Sequence, residues 1–261
     1  MSLLKWIVLV SAGLYLLAVI GLYFLQRHLL YFPQHANRYA VEHNFEFQTS
    51  DKIVLRGWVI NPGQPDAIIF YGGNAERIDE YIHNFKLLFP AHTLYFVNYR
   101  GYGESDGQPS EKSLYSDALA VFDKIKPEHQ RIDLIGKSLG SGIAVYVAAH
   151  RPVNKVALIT PYDSIVNVAQ MHYRIFPVGI LMHDKYESWK YAGKISVPVL
   201  ILSAENDETI PAASTNNLAA HIKPALLTMK QIKGVDHNSI SDNETCYLDL
   251  VDFFAKNNRF K

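Results

Sequence analysis

Apolar and polar residues follow two periods along most of this chain, but its opening stretch has neither. Residues 6–26 read WIVLVSAGLYLLAVIGLYFLQ and contain no charged residue. Twenty helical residues at 1.5 Å each cover about 30 Å, the thickness of a bilayer's hydrocarbon core. Twelve of residues 6–25 are Leu, Ile, Val or Phe, worth at most about −4 to −7 kcal/mol of insertion free energy. Trp6 stands at one end, with Tyr23, Phe24, Tyr31 and Phe32 near the other, as interfacial aromatic belts do. A cleaved signal peptide would be shorter and end in a small-x-small site. A buried core helix would not run twenty residues without a polar face. The expectation is one uncleaved transmembrane helix over residues 1–27. Lys5 and the α-amine face Arg27, Arg38 and Lys52 across it, a charge difference too small to set orientation.

Beyond a linker at residues 28–44, short apolar runs alternate with helical stretches. Residues 45–49 and 53–60 flank Ser50-Asp51-Lys52 and read as a hairpin. Further strands are expected at 67–71, 93–98, 132–135, 155–159, 199–202 and 226–232, each rich in β-branched or aromatic residues. Helices are expected at 75–89, 110–125, 139–150, 212–222 and 244–256. Such alternation predicts an α/β domain over residues 45–261, a mostly parallel eight-stranded sheet with helices on both faces. Residues 161–196 interrupt the rhythm and are expected to form a small cap.

Composition narrows the function. Lysine plus arginine and aspartate plus glutamate both number 25, so nothing electrostatic suggests a nucleic-acid partner. A single cysteine, Cys246, excludes an internal disulfide or a cysteine-rich metal site.

The candidate chemistry begins at Gly136-Lys137-Ser138-Leu139-Gly140, a G-x-S-x-G pattern. Three fixed positions at about 7% usage give roughly a one-in-ten accidental match in such a chain, so context decides. Ile132-Asp133-Leu134-Ile135 precedes it as a strand, and an apolar helix follows, the setting a nucleophile elbow needs. Glycines let the chain reverse tightly around the serine, and the helix N-terminus favours developing negative charge. Ser138 is the expected nucleophile.

Its oxyanion needs donors. One is expected to be the Leu139 backbone N–H. The other should come from the loop Gly72-Gly73-Asn74-Ala75-Glu76 after an early strand, where Asn74 is favoured and Gly73 is the alternative. In an elbow of this type the acid and base follow in the order Ser, acid, His. Of eleven histidines, His237 alone follows the final strand. Asp207 follows the preceding strand at the sheet's carboxyl edge and is the expected acid. Asp163 is the alternative, and Asp236 is too close to His237 in sequence to turn toward it.

With these residues in place the chain resembles the membrane-anchored alpha/beta-hydrolase-domain (ABHD) serine hydrolases. The resemblance spans nearly the whole chain. It rests on the anchor followed by Leu29-Leu30-Tyr31-Phe32-Pro33, on Tyr71-Gly72-Gly73-Asn74-Ala75, and on Asn98-Tyr99-Arg100-Gly101-Tyr102-Gly103-Glu104-Ser105-Asp106-Gly107. The Ser138 elbow, Pro161-Tyr162-Asp163-Ser164, Asn206-Asp207-Glu208-Thr209-Ile210-Pro211 and Gly234-Val235-Asp236-His237-Asn238 complete it. Two positions depart from the pattern: Gly72 stands where relatives often carry histidine, and Glu76 replaces a small residue. The loop at 100–107 lines the site wall by resemblance, although Arg100 itself reads better as the partner of a nearby acid.

The resemblance implies acyl transfer to water through Ser138, Asp207 and His237, with no metal or organic cofactor. It favours acyl esters or thioesters, of lipids or lipidated proteins, over amides. The apolar cap residues Met171, Tyr173, Ile175, Phe176, Ile180, Leu181, Met182 and Trp189 would suit a lid over an acyl chain. A serine peptidase, or a silent hydrolase-fold protein binding a partner at the membrane, are the competing readings.

Overall fold

The computed structural model describes residues 2–34 and 42–255; residues 35–41, in the middle of the segment read as a linker, lie outside them. Eight strands form one sheet: β1 (Phe45–Gln48), β2 (Val54–Ile60), β3 (Asp66–Tyr71), β4 (His92–Val97), β5 (Arg131–Lys137), β6 (Val156–Ile159), β7 (Val199–Ala204) and β8 (Leu227–Ile232). Their spatial order is β1-β2-β4-β3-β5-β6-β7-β8. The first two pairings, β1 with β2 and β2 with β4, are antiparallel; all others are parallel. The hairpin closes where Lys52, at φ 66°, donates its N–H to the Thr49 carbonyl at 2.9 Å.

The central strands are buried on both faces, so their sequences read as continuous apolar runs. In β3, Ala67, Ile69 and Tyr71 pack against Phe122 and Ile143, whereas Ile68 and Phe70 pack against Phe85 and Leu250. The first face is covered by α3 (Glu111–Ile125) and α4 (Leu139–His150), the second by α2 (Ile82–Leu88) and α9 (Glu244–Ala255). Ser110 starts α3 by accepting from the Ser113 N–H, and Ser113 returns a bond to the Ser110 N–H, a capping box that satisfies two otherwise orphaned donors. Cys246 is buried in the second core, where desolvation pushes its thiol up to about 12.

One helix starts later than its sequence suggests. Ala75 takes φ 59°, which ends any helical run there; a 3₁₀ turn (Ile78–Tyr81) then leads into α2. Between β6 and β7 lie three short helices, α5 (Ile165–His172), α6 (Val178–Leu181) and α7 (Trp189–Ala192). A further helix, α8 (Ala212–Ala220), follows β7.

The N-terminal helix α1 (Leu3–Leu30) buries no residue in the protein. It continues three residues past the boundary expected at residue 27, because nothing in Arg27-His28-Leu29 breaks a helix. Pro33 restricts Phe32 to extended backbone, and Tyr31 is already extended, at φ −104° and ψ 127°. The helix is long and apolar enough to cross a membrane.

Strand order reverses at β3 and β5: the chain leaves β3 for β4 on one side, then returns across β3 to β5 on the other. Loops at the carboxyl ends of two such strands diverge and leave a crevice, where α/β sheets place their sites.

Candidate active site

Ser138 lies in that crevice. It follows β5 directly and precedes α4, with φ 48° and ψ −118°, a strained conformation for a residue with a side chain. The surroundings over-determine it. The Ser138 N–H donates to the Ile159 carbonyl of β6 at 2.9 Å, and the Ser138 carbonyl accepts from the Ser141 N–H and hydroxyl. The flanking glycines are required by space. A Cβ on Gly140 would sit 2.1 Å from the Tyr71 carbonyl oxygen, and one on Gly136 would sit 2.5 Å from the Gly140 oxygen. The elbow is thus pressed against the end of β3, bringing the two loops of the crevice together.

The β7 and β8 loops are joined to each other before either reaches the serine. Glu205 N–H donates to Ile232 O and Asn206 N–H to Val235 O, both at 3.0 Å, while the Glu205 carboxylate accepts from the Gly234 N–H at 2.8 Å. This pairing sets His237 Nδ1 at 3.1 and 2.9 Å from the two Asp207 oxygens, and His237 Nε2 at 2.9 Å from Ser138 Oγ. Asp207 Oδ1 also accepts from the N–H groups of Thr209 and Ile210, which fixes the carboxylate's orientation. With the ring proton on Nδ1 donated to Asp207, Nε2 is left as an acceptor facing the serine hydroxyl. His237 is buried.

The alternative acids are used elsewhere. Asp163 accepts from Ser164 N–H, Ser214 Oγ, Asn167 Nδ2 and Asn217 Nδ2, so it ties α5 to α8 and does not meet His237. Asp236 accepts from the N–H groups of Asn238 and Ser239. These bonds hold its carboxyl below the usual range and turn it away from the neighbouring ring.

The glycine loop after β3 separates its two candidate donors. Gly73 N–H is already bonded to Glu76 Oε2 at 2.7 Å, so the alternative donor is occupied within its own loop. Asn74 N–H and Leu139 N–H have no acceptor among the described residues; Leu139 opens α4, where a backbone N–H lacks a helical partner. The Asn74 side chain is fully engaged. Its Nδ2 donates to Leu30 O at 2.5 Å, and its Oδ1 accepts from Phe32 N–H at 3.0 Å and Tyr102 OH at 2.6 Å. The residue therefore ties the end of α1 to the crevice and frees its own N–H.

Several residues of the site escape a reading of local sequence. Glu76 pairs with Lys137, the second residue of the elbow motif, and Tyr81 OH bonds to both, at 3.1 and 3.0 Å. Lys137 is 2% exposed, and Glu76 bridges it to the Gly73 N–H. Tyr99 OH donates to Gly72 O at 2.8 Å from the other side; burial keeps that phenol well above its ordinary range and so neutral. The sequence held a signal for the pair, since a lysine ending an apolar strand and a glutamate in a glycine loop are both out of place.

Comparison with known proteins bears on the fold that carries these residues. Residues 66–181 match the family model described as the alpha/beta hydrolase fold. An uncharacterized protein of Mycobacterium tuberculosis is 30% identical over 205 residues, covering 73% of this chain and 70% of that one.

The chain belongs to the alpha/beta hydrolase family.

Among its relatives, the lysophosphatidylserine lipase ABHD12 of Danio rerio is 33% identical over 171 residues, 55% of this chain and 44% of that protein. The solved structure of a Pyrococcus furiosus esterase superposes with TM-score 0.67 at 16% identity, over 85% of this chain and 97% of that one, a likeness of fold. Within this alpha/beta hydrolase, Arg100 belongs to the scaffold. Its guanidinium forks onto Asp117 at 2.7 and 2.5 Å and reaches Asp51 at 2.8 Å. It thereby holds the loop whose Tyr99 and Tyr102 brace the glycine loop.

Proposed function

We propose that this chain is a membrane-anchored serine hydrolase of acyl esters or thioesters carried by lipids or lipidated substrates. The observation that carries this reading is the continuous hydrogen-bond line from Ser138 Oγ through His237 to Asp207, at 2.9 Å on each side of the ring. In the first half-reaction His237 Nε2 removes the Ser138 proton as Oγ attacks the acyl carbonyl. Asp207 stabilises the imidazolium so formed. The tetrahedral oxyanion is held by the N–H groups of Leu139 and Asn74, each worth about 2.7–4 kcal/mol in the transition state. Collapse breaks the bond to the leaving alkoxide or thiolate, which takes the proton from His237. Water, deprotonated by the same ring, then attacks the acyl-enzyme and releases the carboxylic acid and Ser138.

The substrate class rests on three supports. The relative from Danio rerio is named for lipase action on lysophosphatidylserine. Helix α1 has the length and hydropathy of a membrane span. The cap carries exposed Met171, Tyr173, Ile175 and Ile180, suited to contact with acyl chains.

The test is fluorophosphonate labelling of full-length protein, followed by hydrolysis of acyl esters, acyl thioesters and peptide amides. Labelling abolished by Ser138→Ala and turnover of esters or thioesters are expected. Labelling that survives Ser138→Ala, or turnover of amides alone, would sink the proposal.

A further inference from the structure

We propose that the cleft between α1 and the cap holds one fatty acyl chain of a bilayer lipid and leads it sideways from the membrane to Ser138. This deepens the function proposed above and rests on it: the substrate would be a long-chain lipid resident in the bilayer, and the anchor would form a wall of its binding site.

The cleft is apolar on both sides. Leu22, Leu29 and Leu30 of α1 face Ala169, Tyr173 and Phe176 of the cap. The cap follows α1 from Tyr15 to Tyr31, sixteen residues or about 24 Å of helix. Tyr15 OH donates to Ile175 O at 2.8 Å, and its ring stacks on Phe176 with centroids 5.7 Å apart. Lower down, Gln26 donates to Leu181 O and accepts from the His183 N–H. Arg27 pairs with Asp184 at 2.9 Å, and Tyr31 OH meets Tyr186 OH at 2.8 Å.

Tyr15 lies near the middle of the apolar run at residues 6–25. With α1 across a bilayer, the cap tip is therefore inside the hydrocarbon. Irregular backbone survives there only if its polar groups are satisfied. Four carbonyls of this loop accept from side chains: Ile175 from Tyr15, Phe176 from Gln170, Gly179 from Lys185 and Leu181 from Gln26. Ile175 and Ile180 are 74% and 85% exposed, costly in water and favourable in lipid. Arg174 Nε donates to the Met171 carbonyl at 3.3 Å.

Both walls of the cleft are tied to the loops around the reaction centre. On the α1 side, the Leu30 carbonyl accepts from Asn74 of the oxyanion loop. On the cap side, His172 at the end of α5 bonds the Thr209 carbonyl at 3.4 Å, two residues from Asp207. An acyl chain in the cleft therefore has its carboxyl end directed to the crevice that holds Ser138.

The test uses full-length protein in nanodiscs containing a phospholipid with a diazirine near the end of one acyl chain. Photolabelling of Tyr173, Phe176 or Leu29 is expected in the Ser138→Ala protein, which needs no catalysis. Ala169→Trp, and separately Leu29→Trp from the opposite wall, should reduce that labelling at least fivefold. In active protein each should lower the ratio of kcat/KM for a C18 ester to that for an acetyl ester about tenfold. Fluorophosphonate labelling of Ser138 in the same samples reports folding. Labels confined to the outward residues Phe24 and Leu25, or an unchanged chain-length ratio in variants that still label, would overturn the cleft. Cleft labelling in a protein that hydrolyses neither esters nor thioesters would uphold the cleft and overturn the proposed function instead.

Discussion

Lys137 is 2% exposed one residue before Ser138, with its ammonium against Glu76 and Tyr81. Removing one partner of a buried pair leaves an uncompensated charge, at a cost of about 3–5 kcal/mol, whereas removing both is often neutral. Glu76→Leu is therefore expected to lower stability by that amount in chemical denaturation. Glu76→Leu with Lys137→Met should recover most of it. Catalysis should not recover with stability, because both variants lose the acceptor that holds Gly73 N–H and with it the aim of Asn74. The expected kcat deficit on a soluble ester is on the order of 10²-fold, the scale of one oxyanion donor. Full recovery of kcat in the double variant would reduce the pair to a packing role. Asp207→Asn tests the ring's tautomer: kcat should fall about 10⁴-fold with little change in stability.

At the scale of elements, the site depends on how closely α4 approaches β3. Gly140 is where backbone meets backbone, with the Tyr71 oxygen 2.1 Å from the position of an added Cβ. Neither partner is a flexible side-chain end. Gly140→Ala should part the elbow from the glycine loop, cost about 3 kcal/mol or more as overpacked sites do, and abolish turnover. Gly193 offers the contrast. It ends α7 at φ −65° and ψ −16°, and an added Cβ meets only the His221 oxygen, at 3.6 Å. Gly193→Ala should stabilise by about 0.4–1 kcal/mol through the unfolded state and leave kcat unaltered. Equal effects of the two alanines on denaturation midpoints would refute the close-approach argument.

Across the whole molecule, two couplings have measurable consequences. Asn74 joins the apolar helix α1 to the glycine loop after β3 through Leu30 and Phe32. Asn74→Ala should therefore lower kcat about 10–100-fold on a water-soluble ester, which needs no membrane delivery; an unchanged kcat would mean that the anchor only localises the enzyme. The second coupling is to pH. Asp133, 3% exposed in β5, has its carboxyl pushed up to about 6 by burial, partly offset by the Asn154 amide and by Lys155 and Arg131. Asp66 acts in the opposite sense, and His92 Nε2 lies 3.9 Å away. An unfolded aspartate titrates near 3.9. The folded chain thus holds an extra proton between about pH 4 and 6, and Asp133's favourable contribution is complete below 4 and lost as pH rises through 6. Above 6 the buried charge costs about 3 kcal/mol, two pKa units at 1.36 each. Asp133→Asn should gain stability over the parent chain at pH 8 and lose that advantage by pH 4.5. A difference independent of pH would contradict this account.

Sequence alone determined what is local or ordered along the chain. Period-two and continuous apolar runs marked all eight strands; the continuous runs belong to the central ones, which are buried on both faces between two helical layers. The elbow was legible in Gly136-Lys137-Ser138-Leu139-Gly140, since a reversal this tight admits few residues; chain order pointed to His237 and left Asp207 favoured over Asp163. Tertiary structure decided what depends on distant residues meeting. Asn74 was favoured over Gly73 as a donor in the sequence, and the contact that occupies the Gly73 N–H, from Glu76, came only with the fold. Glu76 looked like an isolated departure until the fold paired it with Lys137 across 61 residues of chain. The cleft between α1 and the cap joins residues about 160 apart. No periodicity records such contacts, because each needs only one suitable side chain at the right place in space.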